Sequence, residues 1–186
     1  MFKKVKDEDL APPSAEDKKL KYEEGLSDLN YFFTNKSTTE NRLSFEAKMV
    51  ITSAAIAAKF DDLIFCGYYV VKNLLDAEGK PLEKKILEIG PYQSKVLATP
   101  IIEIGKGVCG TCWEEKATQI VEDVRSCKNY IACDGKTRSE IVLPVFKSRE
   151  DKTEVIAVLD IDSGLIKRFD KVDQEYLEKY IDYLYA

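Results

Sequence analysis

The hydrophobic periodicity of this chain changes twice, and these changes constrain the fold more than any other feature. Between residues 16 and 60 apolar residues recur at helical spacing, as at Tyr22, Leu26, Leu29 and Phe33. From residue 63 onward, short runs rich in Val, Ile, Phe and Tyr are separated by turns, which predicts about five or six strands. Helical spacing returns near Asp170. This order predicts an α+β domain with one antiparallel sheet and with helices packed on one side of it.

Two local patterns refine this prediction. The second helical segment has small apolar residues at helical spacing, which predicts a buried stripe formed by Leu43, Ala47, Val50, Ala54 and Ala58. Thr38 or Thr39 is the predicted N-cap of that helix. Strands over 63–73 and 85–89 flank a turn, so they form a predicted hairpin, and residues 90–107 are a predicted long loop with one short strand near 100–104.

Composition limits the classes of function. The 186 residues suit one domain, predicted over 16–186 after a flexible polar tail over 1–15. The net charge of −5 and the lack of a basic stripe argue against nucleic-acid binding. Residues 1–10 do not resemble a secretory signal, and the longest apolar stretch, 50–58, is too short to cross a bilayer. We therefore expect a cytoplasmic protein that binds no membrane.

The chain has five cysteines and no histidine. Without histidine, it cannot form Cys-His dyads, Ser-His-Asp triads or histidine metal sites. A general acid in this protein must be a carboxyl, tyrosine, lysine or cysteine side chain. In a cytoplasmic protein thiols stay reduced, so its cysteines are more often chemical than structural.

Two thiols and three carboxylates lie within four short blocks of the sequence. They are the side chains of Cys109, Cys133, Glu140, Asp160 and Asp162. Cys109 is at a predicted helix start, where backbone N–H groups favour a thiolate. Asp160 and Asp162 alternate on a predicted strand and therefore share a face. Their repulsion is expected to keep one of them protonated, and Glu140 begins a neighbouring strand. Such a set is suited to thiol redox chemistry.

The chain resembles the GAF-type free methionine-(R)-sulfoxide reductases in an ordered series of blocks. The matching residues are 67–69, 90–93, 105–111, 123–124, 131–134, 139–144, 158–163 and 168–170. The resemblance covers nearly all of the chain after residue 16. A GAF fold alone would say little, because that fold hosts many small-ligand sensors.

This resemblance implies that the chain reduces free methionine sulfoxide. In such chemistry a thiolate attacks the sulfoxide sulfur, a carboxyl protonates the leaving oxygen, and a cysteine sulfenic acid results. A second cysteine then forms a disulfide, which thioredoxin reduces. The resemblance assigns the redox pair to Cys109 and Cys133, without deciding which attacks. It also implies a substrate pocket lined by Glu140, Asp160 and Asp162, a homodimer, and no bound cofactor or metal.

The chain also departs from the family pattern. Residues 97–99 have no cysteine where the family has a third redox cysteine, and Phe65 replaces a pocket tryptophan. Cys112 and Cys127 are additional, and either could act as the auxiliary thiol. These departures leave an alternative, a catalytically degenerate GAF domain that binds a small molecule or serves in an assembly. A zinc site formed by the four cysteines 109, 112, 127 and 133 is disfavoured, because the last two are widely spaced.

Overall fold

The computed structural model describes residues 11–35, 43–127 and 135–186. Within these ranges, four α-helices and six strands form one α+β unit, which confirms the predicted fold class. The helices are α1 (Ala15–Asn35), α2 (Phe45–Ala57), α3 (Gly107–Glu115) and α4 (Lys171–Asp182). The strands are β1 (Leu63–Leu75), β2 (Pro81–Ser94), β3 (Ile101–Ile102), β4 (Gln119–Val121), β5 (Ser139–Phe146) and β6 (Val155–Ser163).

The six strands form one sheet in the order β3-β2-β1-β6-β5-β4, and every neighbouring pair is antiparallel. β1 and β2 form the predicted hairpin. β6 lies between β1 and β5, and seven consecutive residues of β6, 157–163, are buried. Because β6 is covered on both faces of the sheet, its alternate side chains lie in two different environments.

Each face of the sheet packs against a different set of residues. On one face, Ile141, Leu159 and Ile161 pack with apolar residues of the long helices α1, α2 and α4. On the other face, Val142 and Val158 pack with the short helix α3. The prediction of helices on one side therefore holds for the three long helices, whereas α3 covers the opposite face.

Local sequence signals define where the helices begin. Ser44 caps α2 by accepting a hydrogen bond from the Ala47 N–H (3.1 Å). At α4, the Asp170 side chain accepts from the N–H groups of Val172 and Asp173, while the Asp173 side chain accepts from the Asp170 N–H, which is a reciprocal capping box. The predicted start of the last helix near Asp170 is confirmed.

A buried ionic cluster joins α1 to α4. The carboxylate of Asp173 accepts hydrogen bonds from Lys18 Nζ (2.6 Å), Tyr22 OH (2.8 Å) and Arg168 Nη1 (2.8 Å). Lys18, Arg168 and Asp173 are at most 1% exposed. Arg168 also pairs with Asp62, and its guanidinium lies 4.9 Å from the ring centre of Phe60. The buried positive and negative groups are therefore neutralised within the cluster.

Two predictions about local structure are wrong. The N-cap of α2 is Ser44 rather than Thr38 or Thr39, which lie outside the described residues. The predicted apolar stripe of α2 is also not its buried face, since Val50 is 46% exposed and the buried residues are Met49, Thr52, Ser53 and Ile56. Thr52 and Ser53 can be buried because their hydroxyls donate to helix carbonyls one turn back, at Lys48 and Val50.

β2 is longer than predicted, because it continues through Gly90 to Ser94 and pairs with β1 where a loop was expected. Residues 1–10 of the predicted tail lie outside the described residues. Within the described part of the chain, no helix is long and apolar enough to cross a membrane.

The ionic cluster leads to a stability prediction. Asp173→Asn is expected to lower the free energy of unfolding by about 3–5 kcal/mol, because Lys18 and Arg168 would stay buried with one anion fewer. Urea unfolding followed by circular dichroism measures this change. As a matched control, Glu154→Gln removes the exposed pair with Lys147 and is expected to change stability by less than about 1 kcal/mol. Equal effects of the two substitutions would contradict a structural role for the cluster.

Candidate active site

Helix α3 packs closely on the loop that precedes it, because its backbone approaches that loop without an intervening side chain. A Cβ atom on Gly110 would overlap the carbonyl oxygen of Glu103, so only glycine fits this approach. The Gly105 N–H donates to the Gly110 carbonyl (2.9 Å), which attaches α3 to the preceding loop. Cys109 lies in the first turn of α3 and is 3% exposed.

The strand register places the carboxylates on the face that α3 covers. Asp162 of β6 is opposite Glu140 on β5 and opposite Phe65 on β1. Asp160 is opposite Val142 on β5, and Val142 belongs to the apolar cluster that includes Cys109. Because residues two apart on a strand share a face, both aspartates lie on this side, as predicted.

One thiol and two carboxylates meet closely in the space between α3 and the sheet. Cys109 Sγ lies 4.0 Å from Glu140 Oε1. One ligand atom from each of Cys109, Glu140 and Asp160 lies within 4.8 Å of the other two. We call these three residues the thiol–carboxyl triad. All three are buried, with exposures of 3–5%, so their charges interact with little screening by water.

Asp160 is poised to hold a proton near neutral pH. Burial raises its pKa to about 7, and hydrogen bonds from Cys109 and Glu140 act in the opposite direction. The predicted direction of the shift is therefore found, but its main cause is burial rather than repulsion between Asp160 and Asp162. Asp160 Oδ1 has no hydrogen-bond partner among the described residues.

The expectation of a Cys109 thiolate favoured by the helix start is wrong for this structure. Burial raises the pKa of Cys109 well above its ordinary value, and the nearby carboxylates of Asp160, Glu140 and Asp162 raise it further. Removal from water, together with the nearby carboxyl groups, outweighs the effect of the short helix N-terminus. In the structure described here, Cys109 is thus favoured as a neutral thiol.

Aromatic rings form one wall next to these groups. Phe65 is 3% exposed and stacks on Tyr92 with ring centroids 5.4 Å apart and an interplanar angle of 22°. Its ring also lies 6.1 Å from that of Tyr69. Phe65 and Cys109 belong to the same apolar cluster. Tyr92 was not identified from the sequence as a site residue, although it lies in the matching block 90–93.

The remaining cysteines have different surroundings. Cys112 is fully buried, its thiol donates to the Val142 carbonyl (3.6 Å), and burial raises its pKa. Cys127 is partly exposed and packs against the cluster that contains Cys109 and Cys112. Cys66 is buried on the opposite face, where its thiol donates to the Ser53 carbonyl. Cys133 lies outside the described residues.

The side chains that could hold a metal ion differ from the four cysteines that the sequence suggested as a zinc site. Within the described ranges, the thiol–carboxyl triad is the group with ligand atoms close enough for one ion. It combines Cys109 with two carboxylates rather than with other cysteines. The described cysteines thus give no four-thiolate arrangement.

Comparisons with known proteins point to one family. The chain is 45% identical over 118 residues to "Free methionine-R-sulfoxide reductase" of Saccharomyces cerevisiae, a match that spans 63% of the chain but only 59% of that relative. It is 35% identical over 158 residues to the Escherichia coli protein of the same name, with 85% of both chains covered. No protein-family model matches the chain.

Solved structures agree with these relatives. The structure of free methionine-R-sulfoxide reductase from Neisseria meningitidis in complex with its substrate superimposes with a TM-score of 0.71 at 30% identity. That match covers 94% of this chain and 92% of the other. A solved GAF domain is also among the similar structures, in agreement with the expected GAF fold.

The raised pKa of Asp160 predicts a pH-dependent effect of removing its charge. A carboxyl whose pKa is higher in the folded state favours folding while protonated, and this contribution is lost as pH rises from about 4 to about 7. Asp160→Asn removes this dependence. Relative to the wild type, the variant is therefore expected to gain at least about 1 kcal/mol of stability between pH 4.5 and pH 7.5.

Urea unfolding at the two pH values measures this difference. The control is Asp61→Asn, which removes the carboxylate of an exposed aspartate and reports the general effect of losing one such group. A stability difference for Asp160→Asn that does not change with pH would show that Asp160 is ionised throughout this range.

Proposed function

Because the chain belongs to the GAF-type free methionine-(R)-sulfoxide reductases, we propose that it reduces free L-methionine-(R)-sulfoxide to methionine. The observation that carries this proposal is the thiol–carboxyl triad, in which a buried thiol lies beside a carboxyl that holds a proton near neutral pH. Sulfoxide reduction needs both an attacking thiol and a proton for the leaving oxygen.

The proposed reaction begins when a cysteine thiolate attacks the sulfoxide sulfur. As the S–O bond of the substrate breaks, an S–O bond to the cysteine sulfur forms, so that methionine leaves and the cysteine becomes a sulfenic acid. A carboxyl group supplies the proton to the oxygen, and Asp160 is suited to this role because burial keeps its pKa near 7. Glu140 and Asp162 then remain to accept the substrate ammonium group.

The second cysteine attacks the sulfenic acid, which releases water and forms a disulfide. We assign this resolving role to Cys109 and the attack on the sulfoxide to Cys133. The reason is that burial and the neighbouring carboxyl groups disfavour a Cys109 thiolate before substrate reacts. An external dithiol, proposed to be thioredoxin, reduces the disulfide by thiol–disulfide exchange. No bound cofactor is needed for this cycle.

Phe65 provides the apolar contact in this proposal. Its ring is fixed by stacking on Tyr92, so it can present a rigid face to the carbon atoms of the substrate side chain. In this role the phenyl ring takes the place of the tryptophan that the resemblance implies at this position.

Consumption of NADPH in the presence of thioredoxin and thioredoxin reductase tests the activity. The R epimer of free methionine sulfoxide is expected to be reduced and the S epimer to be spared. Cys109→Ser and Cys133→Ser are each expected to abolish turnover, because either change prevents the disulfide. Trapping with dimedone should detect a sulfenic acid on Cys133 in Cys109→Ser, and none in Cys133→Ser.

Cys66→Ala serves as the control, since Cys66 lies on the opposite face of the sheet and is expected to be dispensable for turnover. The absence of any turnover from folded, fully reduced wild-type protein would favour the alternative of a degenerate GAF domain. Light scattering on the same samples tests the homodimer that the resemblance implies.

The auxiliary thiol is proposed to be Cys127 rather than Cys112. An external dithiol can reach only an exposed sulfur, and Cys127 is partly exposed whereas Cys112 is fully buried. Cys127→Ser is therefore expected to slow multiple turnover by about tenfold or more, while the first, stoichiometric turnover stays unchanged. Cys112→Ala is the matched control and should retain multiple turnover. Equal rates for Cys127→Ser and wild type would exclude an auxiliary role for Cys127.

A further inference from the structure

We propose that the thiol–carboxyl triad binds a single zinc ion, or the chemically similar cadmium ion, and that the bound ion inhibits the enzyme. Three protein ligands with one coordination position left open are the usual complement of a catalytic zinc site. A cysteine sulfur and carboxylate oxygens are both common zinc ligands. This site would be an inhibitory one, distinct from a resident cofactor site.

The distances in the triad are close to those that a zinc ion requires. Tetrahedral coordination with Zn–S and Zn–O bonds of about 2.0–2.3 Å places ligand atoms roughly 3.3–3.8 Å apart. Cys109 Sγ and Glu140 Oε1 are already 4.0 Å apart, and all three ligand atoms lie within 4.8 Å of one another. Side-chain movements of about 1 Å or less would therefore complete the site, without any change in strand register.

An independent feature of Asp160 also points to a cationic ligand. Its Oδ1 atom is buried and has no hydrogen-bond partner among the described residues, although Asp160 is only 3% exposed. A buried carboxylate oxygen without a partner is costly, and a metal ion is one of the few groups that can satisfy it. The other face of the sheet differs, because there Lys18 and Arg168 neutralise Asp173.

The same ion would block two steps of the proposed reaction, the protonation of the oxygen by Asp160 and the resolution of the sulfenic acid by Cys109. It would hold Cys109 as a metal thiolate, which cannot resolve a sulfenic acid, and it would displace the proton from Asp160. Inhibition of the reductase therefore rests on the proposed function, whereas binding of the ion does not. The two parts can be measured separately.

Cadmium binding to the fully reduced protein tests the site directly. One ion per chain is expected, with a sulfur-to-cadmium charge-transfer band in the ultraviolet that EDTA removes. Cys109→Ser should abolish the band, and Glu140→Gln should weaken cadmium binding by about tenfold or more. Glu103→Gln, at an exposed glutamate, and Cys112→Ala are the controls and should retain both the band and the affinity.

A band that persists in Cys109→Ser, or that disappears in Cys112→Ala, would overturn the proposal because it would place the ion on other thiols. Circular dichroism of each variant verifies that it is folded, and Glu140→Gln tests the site without removing a thiol.

Zinc titration by calorimetry in the presence of free methionine should show competition between zinc and methionine for the site. If the enzyme is active and binds cadmium without being inhibited, the proposal that the ion inhibits the enzyme is overturned. If the protein binds cadmium but has no reductase activity, only the proposed function fails and the metal site stands.

Discussion

The register of β6 between β5 and β1 is the constraint on which the site depends. It places Asp162 opposite Glu140 and Phe65, and it turns Asp160 toward the helix that carries Cys109. Because side chains alternate along a strand, a slip of one residue would turn both aspartates into the apolar face beneath the long helices. The apolar residues between them, Leu159 and Ile161, would then move to the active-site face. Burial of those residues therefore holds the reactive groups in place.

The protein treats buried charge differently on the two faces of this sheet. On the face covered by α1, α2 and α4, Asp173 accepts hydrogen bonds from Lys18, Arg168 and Tyr22. This cluster connects the N-terminal and C-terminal helices. On the other face, Asp160 is buried with no cation among the influences on its pKa. The first arrangement stabilises the fold, whereas the second keeps a proton available for chemistry. Such unfavourable burial is tolerated at functional sites because the rest of the domain supplies the stability.

Much of this organisation follows from the sequence, and the exceptions have physical reasons. The alternation of Asp160 and Asp162 predicts their shared face, and Asp170 predicts the start of α4. The buried side of α2 was not predictable from hydrophobicity, because Thr52 and Ser53 satisfy their hydroxyls within the helix and can face the core. The protonation state of the Cys109 thiol could not be predicted either. A helix start argues for a thiolate, but the opposing carboxylates come from distant strands. The roles of Cys133 and Cys127 remain predictions.

The shape of the sheet edges bears on how the protein behaves at high concentration. One edge strand, β3, has two residues, and the other, β4, has three, so neither offers a long row of free backbone groups. The outer part of β2 extends beyond β3, but it begins with Pro81 and continues with exposed charged residues at Glu83, Lys84 and Lys85. Proline, lysine and short edge strands all discourage the addition of a strand from another molecule. These described edges therefore discourage aggregation through sheet growth, which favours side-chain surfaces for association between copies.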